Sequence, residues 1–146
     1  MQISEPYAVV VDYGLSLEQM IAAGHYGYVN PDITPEHFPV TRTRVTVDTD
    51  AMLVHLDHSM STDDALLELD HLGLRPGDLP ELLALGAKHP DLQRSFPIVE
   101  LASVWTFGGG YRYVADLCGY AHARSLNLFD VALVWFDDCR FLAFRK

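Results

Sequence analysis

One short cluster of side chains in the sequence could bind a metal ion, His55-Leu56-Asp57-His58. Imidazole nitrogens and a carboxylate are good ligands for zinc. The alternation of a β-strand would place His55 and Asp57 on one face, with His58 at the end of the strand. As one alternative, the cluster therefore predicts a small metal-dependent enzyme or a metal-binding protein that uses these three residues.

The order of these residues is similar to the last four positions of H-x-H-x-D-H, the metal-binding pattern of metallo-β-lactamase-like hydrolases. Leu53 stands where that pattern has its first histidine, and 146 residues are few for a fold of two sheets that supplies further ligands. Neither Ser103 nor Cys118 lies in a G-x-S-x-G or comparable nucleophile context. An enzyme is therefore the less favoured interpretation, and no cofactor is predicted.

Charge is distributed unevenly along the chain, whose formal net charge is −10. The stretch between Arg44 and Arg75 contains no lysine or arginine and seven carboxylates, which are Asp48, Asp50, Asp57, Asp63, Asp64, Glu68 and Asp70. Direct binding to nucleic acid is disfavoured because a phosphate backbone needs a basic surface, and an anionic membrane is disfavoured for the same reason. These residues predict an acidic surface that attracts a basic partner protein.

Aromatic residues are concentrated near the end of the chain, where residues 101–146 hold ten of the sixteen. Because side chains of a strand alternate between two faces, not all of these rings can point into a core. We expect a binding surface on the sheet formed by Trp105, Tyr111, Tyr113 and Trp135. A pocket lined by the same aromatic segment would instead bind a small ligand, which is a third alternative.

The first two thirds of the chain predict helices. Ser16 followed by Gln19 is a capping-box pattern, and Ser61 is the expected cap of a helix over Thr62–Leu72. A further helix is expected over Leu79–Ala87 after a Pro-Gly turn.

Strands are expected before and after these helices. Tyr7–Val11 predicts a buried strand, and the alternating Val40–Asp48 predicts a half-exposed one. Met52–Leu56 would follow after a turn at residues 48–50. Two C-terminal hairpins are expected, Ile98–Phe107 with Tyr111–Cys118 around Gly108-Gly109-Gly110, and Val131–Phe136 with Arg140–Arg145 around Asp137-Asp138. These patterns predict a single α+β domain over residues 1–146, in which three or so helices pack against an antiparallel sheet.

The chain shows no feature of export or of a membrane span. No apolar run approaches 18 residues, and residues 1–40 lack lysine and arginine, so the positive start of a signal peptide is missing. We therefore expect a cytoplasmic protein. Cys118 and Cys139 lack C-x-x-C spacing; free thiols are favoured, although adjacent strands could let them pair.

Part of the chain, about residues 62–146, resembles a group of small uncharacterised bacterial proteins. The residues that carry the likeness are Leu72–Pro76, Glu81–Leu83, Pro90–Gln93, Phe96–Val99, Trp105 and Arg140–Lys146. The resemblance implies a bacterial or mobile-element origin and a shared β-rich module, and it implies no activity.

The uncompensated carboxylates make a non-enzymatic protein-binding module the leading hypothesis. In one version the protein is an inhibitor or decoy of a nucleic-acid-binding protein, with carboxylates in place of phosphates. The metal-binding cluster and the small-ligand pocket stay open as alternatives, and the sequence does not determine the oligomeric state.

Overall fold

The structure, a computed structural model, describes residues 1–42, 45–120 and 123–146. The strands are β1 (Gln2–Ile3), β2 (Tyr7–Asp12), β3 (Tyr28–Val29), β4 (Thr46–His55), β5 (Leu74–Pro76), β6 (Ile98–Val99), β7 (Trp105–Phe107), β8 (Tyr111–Tyr120), β9 (Ala123–Asp130) and β10 (Arg140–Arg145). The helices are α1 (Leu17–Ala22), α2 (Thr62–His71), α3 (Leu79–Lys88) and α4 (Leu92–Ser95). The expected mixture of helices and strands is confirmed.

The ten strands form one hydrogen-bonded sheet in the order β1-β4-β10-β6-β8-β9-β3, with β2 on β4, β5 on β10 and β7 on β8. Seven pairings of the described strands are antiparallel, and two, β6 with β10 and β3 with β9, are parallel. The sheet is thus mixed and not purely antiparallel. β4 and β10 are neighbours in this sheet, although they are far apart in sequence.

Of the two expected C-terminal hairpins, the first is present and the second is not. β7 pairs with β8 across the glycine turn, where Gly108 and Gly110 have φ angles of +40° and +93° that suit glycine. Residues 131–136 form no strand, because Trp135 turns into the core and only bridges to Met60. β10 pairs instead with β4, β5 and β6, and β8 pairs with β9, a strand that the sequence did not reveal.

The expected turn at residues 48–50 is also wrong. β4 runs without a break from Thr46 to His55, and its first half pairs with β2, where Asp48 lies opposite Val10 and Asp50 opposite Ala8. Aspartate favours turns through local hydrogen bonds to the backbone, but strand pairing can override this local preference. Here β2 supplies that ladder.

Helix ends follow the sequence closely. The Ser16–Gln19 capping box is present, and the Ser61 hydroxyl accepts a hydrogen bond from the Asp64 amide at 3.1 Å. After α2, Gly73 has a φ of +74°, which a residue with a side chain rarely adopts. Local side-chain chemistry therefore fixes where these helices begin and end.

Two apolar clusters cover the two faces of the sheet. Val114 belongs to one cluster and Ala115 to the other, as strand alternation requires. We call them the α2 face, on which Ala65 and Leu69 of α2 pack, and the α3 face, against which α1 and α3 pack. α3 buries the leucines Leu79, Leu82, Leu83 and Leu85, each stabilising the fold by roughly 1.5–3 kcal/mol.

Candidate functional site

A pocket of about 570 Å³ opens at the N-terminal end of α3. Five separate parts of the chain form its walls: Tyr13 after β2, residues 37–42 before β4, the end of β5, the first turn of α3 and residues 102–104. Proline, valine, alanine and phenylalanine side chains supply much of the lining, and Tyr13, Arg42, Arg75, Asp78 and Ser103 supply polar groups. This volume lies in the range of small-molecule sites.

One wall of the pocket is held by a two-pronged ion pair. Arg75 donates from Nη1 to Oε1 of Glu81 at 2.9 Å and from Nη2 to Oε2 at 2.8 Å. The Glu81 side chain is only 2% exposed, and its hydrogen bonds raise the pKa of Arg75. Arg75 also lies over the ring of Phe144, 4.7 Å from its centre. Both partners of this pair are therefore fully engaged within the fold.

Asp78 is the N-cap of α3, and one of its carboxylate oxygens is only weakly hydrogen-bonded within the fold. Its Oδ1 accepts from the Glu81 amide at 2.8 Å, while Glu81 Oε1 accepts from the Asp78 amide at 3.0 Å. Its Oδ2 has a single partner among the described residues, the Tyr13 hydroxyl at 3.4 Å, which is near the limit of hydrogen bonding. Burial, and then the charge of Glu81, raises the pKa of Asp78 to about 6.

Tyr13 contacts both Asp78 and Arg42, two of the charged residues that line the pocket. Its side chain is buried, and burial followed by the charge of Asp78 raises its pKa, so its hydroxyl stays a neutral donor. The guanidinium of Arg42 lies over its ring, 5.1 Å from the centre, in a cation–π contact. Arg42 is exposed and makes no ion pair with a described residue.

The backbone donors at the start of α3 are not available to a ligand. The Leu79 amide donates to the Ser103 hydroxyl at 2.9 Å, Pro80 has no N–H, and the Glu81 amide donates to Asp78. Anions often bind at helix N-termini through such donors. In this pocket, recognition therefore depends on side chains.

Glu100 holds the far wall of the pocket in place. It is fully buried, and its carboxylate accepts from the amides of Ser103 at 2.7 Å and Ala115 at 3.0 Å. Burial raises its pKa to about 8. Through these bonds the loop that carries Ser103 is fixed to β8, which places the Ser103 hydroxyl at the start of α3. Glu100 is thus a positioning residue for the site.

Trp105 supports the rim of the pocket. Its ring stacks on His37 with centres 3.9 Å apart and planes at 13°, and His37 Nδ1 lies 2.7 Å from the carbonyl oxygen of Asp32. The ring of Tyr113 lies next to that of Trp105, with the ring centres 5.6 Å apart. Tyr111 is farther out on the same hairpin, with 58% of its surface exposed. Three of the four predicted aromatic residues therefore share the hairpin beside the pocket.

The fourth predicted aromatic residue, Trp135, lies on the opposite side of the sheet. It is 2% exposed and belongs to the apolar cluster on the α2 face. Its ring stacks on that of Phe129, with the ring centres 4.3 Å apart. Its indole N–H donates to the Thr62 hydroxyl at 2.8 Å. Trp135 is a core residue that anchors α2, and the structure does not bring it together with Trp105.

The predicted acidic residues lie largely on the α2 face. Asp63, Asp64, Glu68 and Asp70 are on α2, and Asp48 and Asp50 alternate in phase with Met52, which packs on that face. Asp70 pairs with the Lys146 ammonium, and Asp57 pairs with the α-amino group of Met1, whose hydrogen bond lowers the pKa of Asp57. Asp50 shares a groove with Arg145. Positive charges from both ends of the chain therefore lie next to part of this acidic surface.

The histidine cluster does not assemble into a ligand set. His55 Nε2 lies 2.6 Å from the carbonyl oxygen of Asp137, and His58 Nδ1 lies 2.7 Å from that of Leu56. Asp57 has a φ of +57° and turns toward Met1. Within residues 1–42, 45–120 and 123–146, no three His, Cys, Asp or Glu side chains come together to hold a metal.

Both cysteines are free, Cys118 half-buried and Cys139 buried, and burial raises the pKa of each thiol.

Among the described residues, no helix is long and apolar enough to cross a membrane.

Most of the pocket could not be recognised from the sequence, because its residues come from five distant segments. Two local signals do point to it. Glu100 interrupts an apolar run, Ile98-Val99-Glu100-Leu101, which marks a carboxylate that must be buried. Asp78 and Glu81 have the D-x-x-E spacing of a capping box directly after a Pro-Gly turn.

Comparisons of the chain with protein-family models, with curated proteins and with solved structures give no match. The resemblance of residues 62–146 to small bacterial proteins stays a prediction. The function has to be inferred from the pocket and the surfaces themselves.

Proposed function

We propose that this protein is a small-ligand-binding domain and that the pocket at the start of α3 is its binding site. The observation that carries the proposal is the convergence of Tyr13, Arg42 and Asp78 on one cavity of about 570 Å³, whose walls also include apolar side chains such as Phe38 and Pro80. Ligand sites typically combine such walls with a few polar groups that set orientation. Titratable groups with shifted pKa values are also concentrated at functional sites.

Structural ion pairs shift pKa values too, and the Arg75–Glu81 pair is one of them. The fold uses both charges of that pair, whereas it uses neither Asp78 Oδ2 nor the Arg42 guanidinium fully. The half-buried Asp78 carboxylate, which the fold pairs incompletely, costs stability, whereas the exposed Arg42 guanidinium is available to a partner. A bound ligand gives them a role.

A blocking variant tests this proposal. Ala102 is exposed and lines the pocket, so Ala102→Trp would fill its mouth without disturbing the core. Ala132→Trp, at an exposed position outside the pocket, is the matched control. In a thermal-shift screen of a broad small-molecule library, we expect hits that raise the melting temperature of the wild type and of Ala132→Trp and not of Ala102→Trp. A screen without hits, or hits that bind both variants equally, would remove the proposal.

Recognition of a basic protein is a second candidate function. It is supported by the position of Asp48 and Asp50 on the α2 face, which also carries the exposed Asp63 and Asp64. Charged surfaces of this kind accelerate association with a partner of opposite sign. Inhibition of a nucleic-acid-binding protein in the cytoplasm is one form of this candidate.

Poly-lysine is a suitable probe of the acidic surface. We expect it to bind the wild type at low salt, to lose affinity at moderate salt, and to bind a variant with all four of these aspartates changed to asparagine more weakly. Equal binding of the two proteins would exclude the α2 face as the contact surface.

A further inference from the structure

We propose that the ligand of this pocket is a small zwitterion, an amino acid or a short peptide, with its ammonium on Asp78 and its carboxylate on Arg42. The inference rests on the proposed function and names the class of ligand. It follows from which charged groups of the pocket the fold leaves unpaired.

Asp78 is the group that would receive the ammonium. Glu81 directs both carboxylate oxygens at Arg75, and Asp78 Oδ1 is occupied by the helix cap. Asp78 Oδ2 keeps only the long 3.4 Å contact with the Tyr13 hydroxyl. An ammonium carries three donors and would supply the short, charge-assisted hydrogen bond that this oxygen lacks.

Arg42 is the group that would receive the carboxylate. Arg75, the other guanidinium at the pocket, is committed to Glu81, whereas Arg42 contacts only the face of the Tyr13 ring among the described residues. A guanidinium binds a carboxylate with two parallel hydrogen bonds. Arg42, which makes no ion pair among the described residues, thus lies over the ring of Tyr13, and the weakly bonded Oδ2 of Asp78 lies at its hydroxyl.

A ligand that carries one charge would satisfy one of these groups and leave the other unpaired beside it. A zwitterion satisfies both, and the aliphatic and proline walls, with Phe38 among them, accept an apolar side chain. The ligand class therefore follows from charge complementarity on both sides and from apolar contact between them.

Proton binding by Asp78 should make recognition depend on pH. The titratable and charged groups that influence Asp78 are Tyr13, Arg42, Arg75, Glu81 and Glu100. Because burial raises the pKa of Asp78 to about 6, a bound ammonium must displace a proton below that pH. We expect the affinity for a zwitterion to be about tenfold lower at pH 5 than at pH 7.

Calorimetric titration of the full chain with the standard amino acids tests the inference, each amino acid being paired with its decarboxylated amine and its deaminated acid. We expect at least one amino acid to bind about tenfold more tightly than either analogue. Asp78→Asn should remove the advantage over the acid and the pH dependence, because asparagine still caps a helix but carries no charge. Arg42→Gln should remove the advantage over the amine, and Asp63→Asn, on the α2 face, should change nothing.

The outcomes separate this inference from the proposed function. If hits of the library screen bind and are blocked by Ala102→Trp while no amino acid binds, the pocket is a ligand site and the zwitterion inference is wrong. The same follows if an amino acid binds equally well to Asp78→Asn at both pH values. If neither set of compounds binds, the proposed function itself fails. Melting temperatures of Asp78→Asn and Arg42→Gln that are no lower than that of the wild type show that both variants are folded.

Discussion

Carboxylates occupy two contrasting settings in this protein, the pocket at the start of α3 and the α2 face. Behind the walls of the pocket, Glu81 and Glu100 are buried and bound to defined donors. On the α2 face, Asp48, Asp63 and Asp64 are exposed to water. The face carries more negative charge, yet its individual charges interact weakly because water screens them.

The difference shows that a high density of charged residues in the sequence does not indicate which charged side chains interact most strongly in the fold. The run of seven carboxylates between Arg44 and Arg75 is the most conspicuous feature of the sequence. The carboxylates with defined partners and raised pKa values, Asp78 and Glu100, lie outside it. Burial lowers the effective dielectric constant and so strengthens each electrostatic interaction. The tertiary fold determines which side chains are buried.

Breaking the ion pair of the pocket wall should have the largest effect on stability. Glu81→Ala leaves the half-buried Arg75 without its carboxylate partner and removes half of the capping box, so we expect a loss of about 3–5 kcal/mol in the free energy of unfolding. Asp63→Ala, on the exposed side of α2, should lose less than about 1 kcal/mol. Urea denaturation measures both, and similar losses for the two variants would erase the contrast between the regions.

The second effect concerns pH. The pKa of Glu100 is raised from its usual value of 4.5 to about 8, so between these two values the folded state holds more protons than the unfolded state. Stability contributed by this group is therefore fully present below about pH 4.5 and declines as pH rises to about 8. Glu100→Gln cannot ionise, so its unfolding free energy should decrease less between pH 5 and pH 8 than that of the wild type. Parallel pH profiles would contradict the burial of this carboxylate.

A smaller effect of the same sign is expected at Asp78, whose pKa is also raised in the folded state. Because its folded-state pKa is raised, ionised Asp78 disfavours the fold above about pH 6. Asp78→Asn keeps the cap and should be as stable as the wild type or more stable at pH 8, as measured by urea denaturation. A clear loss of stability would show that Asp78 serves the fold and not a ligand.

The smallest effects are expected on the α2 face. Changing Asp48 or Asp50 singly to asparagine should weaken poly-lysine binding only about twofold at low salt, and not measurably at moderate salt. Fluorescence anisotropy with labelled poly-lysine resolves such changes. A large loss of poly-lysine affinity from one substitution would reveal a specific contact and would contradict the contrast between this surface and the pocket.

Much of the local structure was predictable because side chains next to an element determine it. The Ser16–Gln19 box, the Ser61 cap and the stop at Gly73 are formed as expected. The prediction of the second hairpin was wrong. Residues 131–136 have the composition of a strand, but Trp135 packs between Phe129 and Phe141 in the core instead of pairing in a hairpin. Pairing of β10 with β4 joins segments too far apart in sequence for local patterns to reveal.

The candidate site was less predictable than the fold. Trp105 was expected to be part of a binding surface and does lie at the rim of the pocket, next to His37. Arg42, Asp78 and Tyr13 belong to no common motif, and only the tertiary fold brings them together. The acidic residues were visible in the sequence, whereas their partial pairing, as between Asp70 and Lys146, was not.

Amide chemical-shift mapping with the tightest-binding compound of the library screen tests most directly whether the pocket is the recognition site. If it is, the largest shifts will be those of residues 41–42, 75–79 and 102–104, and α2 will be unaffected. If the largest shifts lie on α2 or on the paired strands β2 and β4, the ligand binds elsewhere and the proposed function of the pocket is wrong.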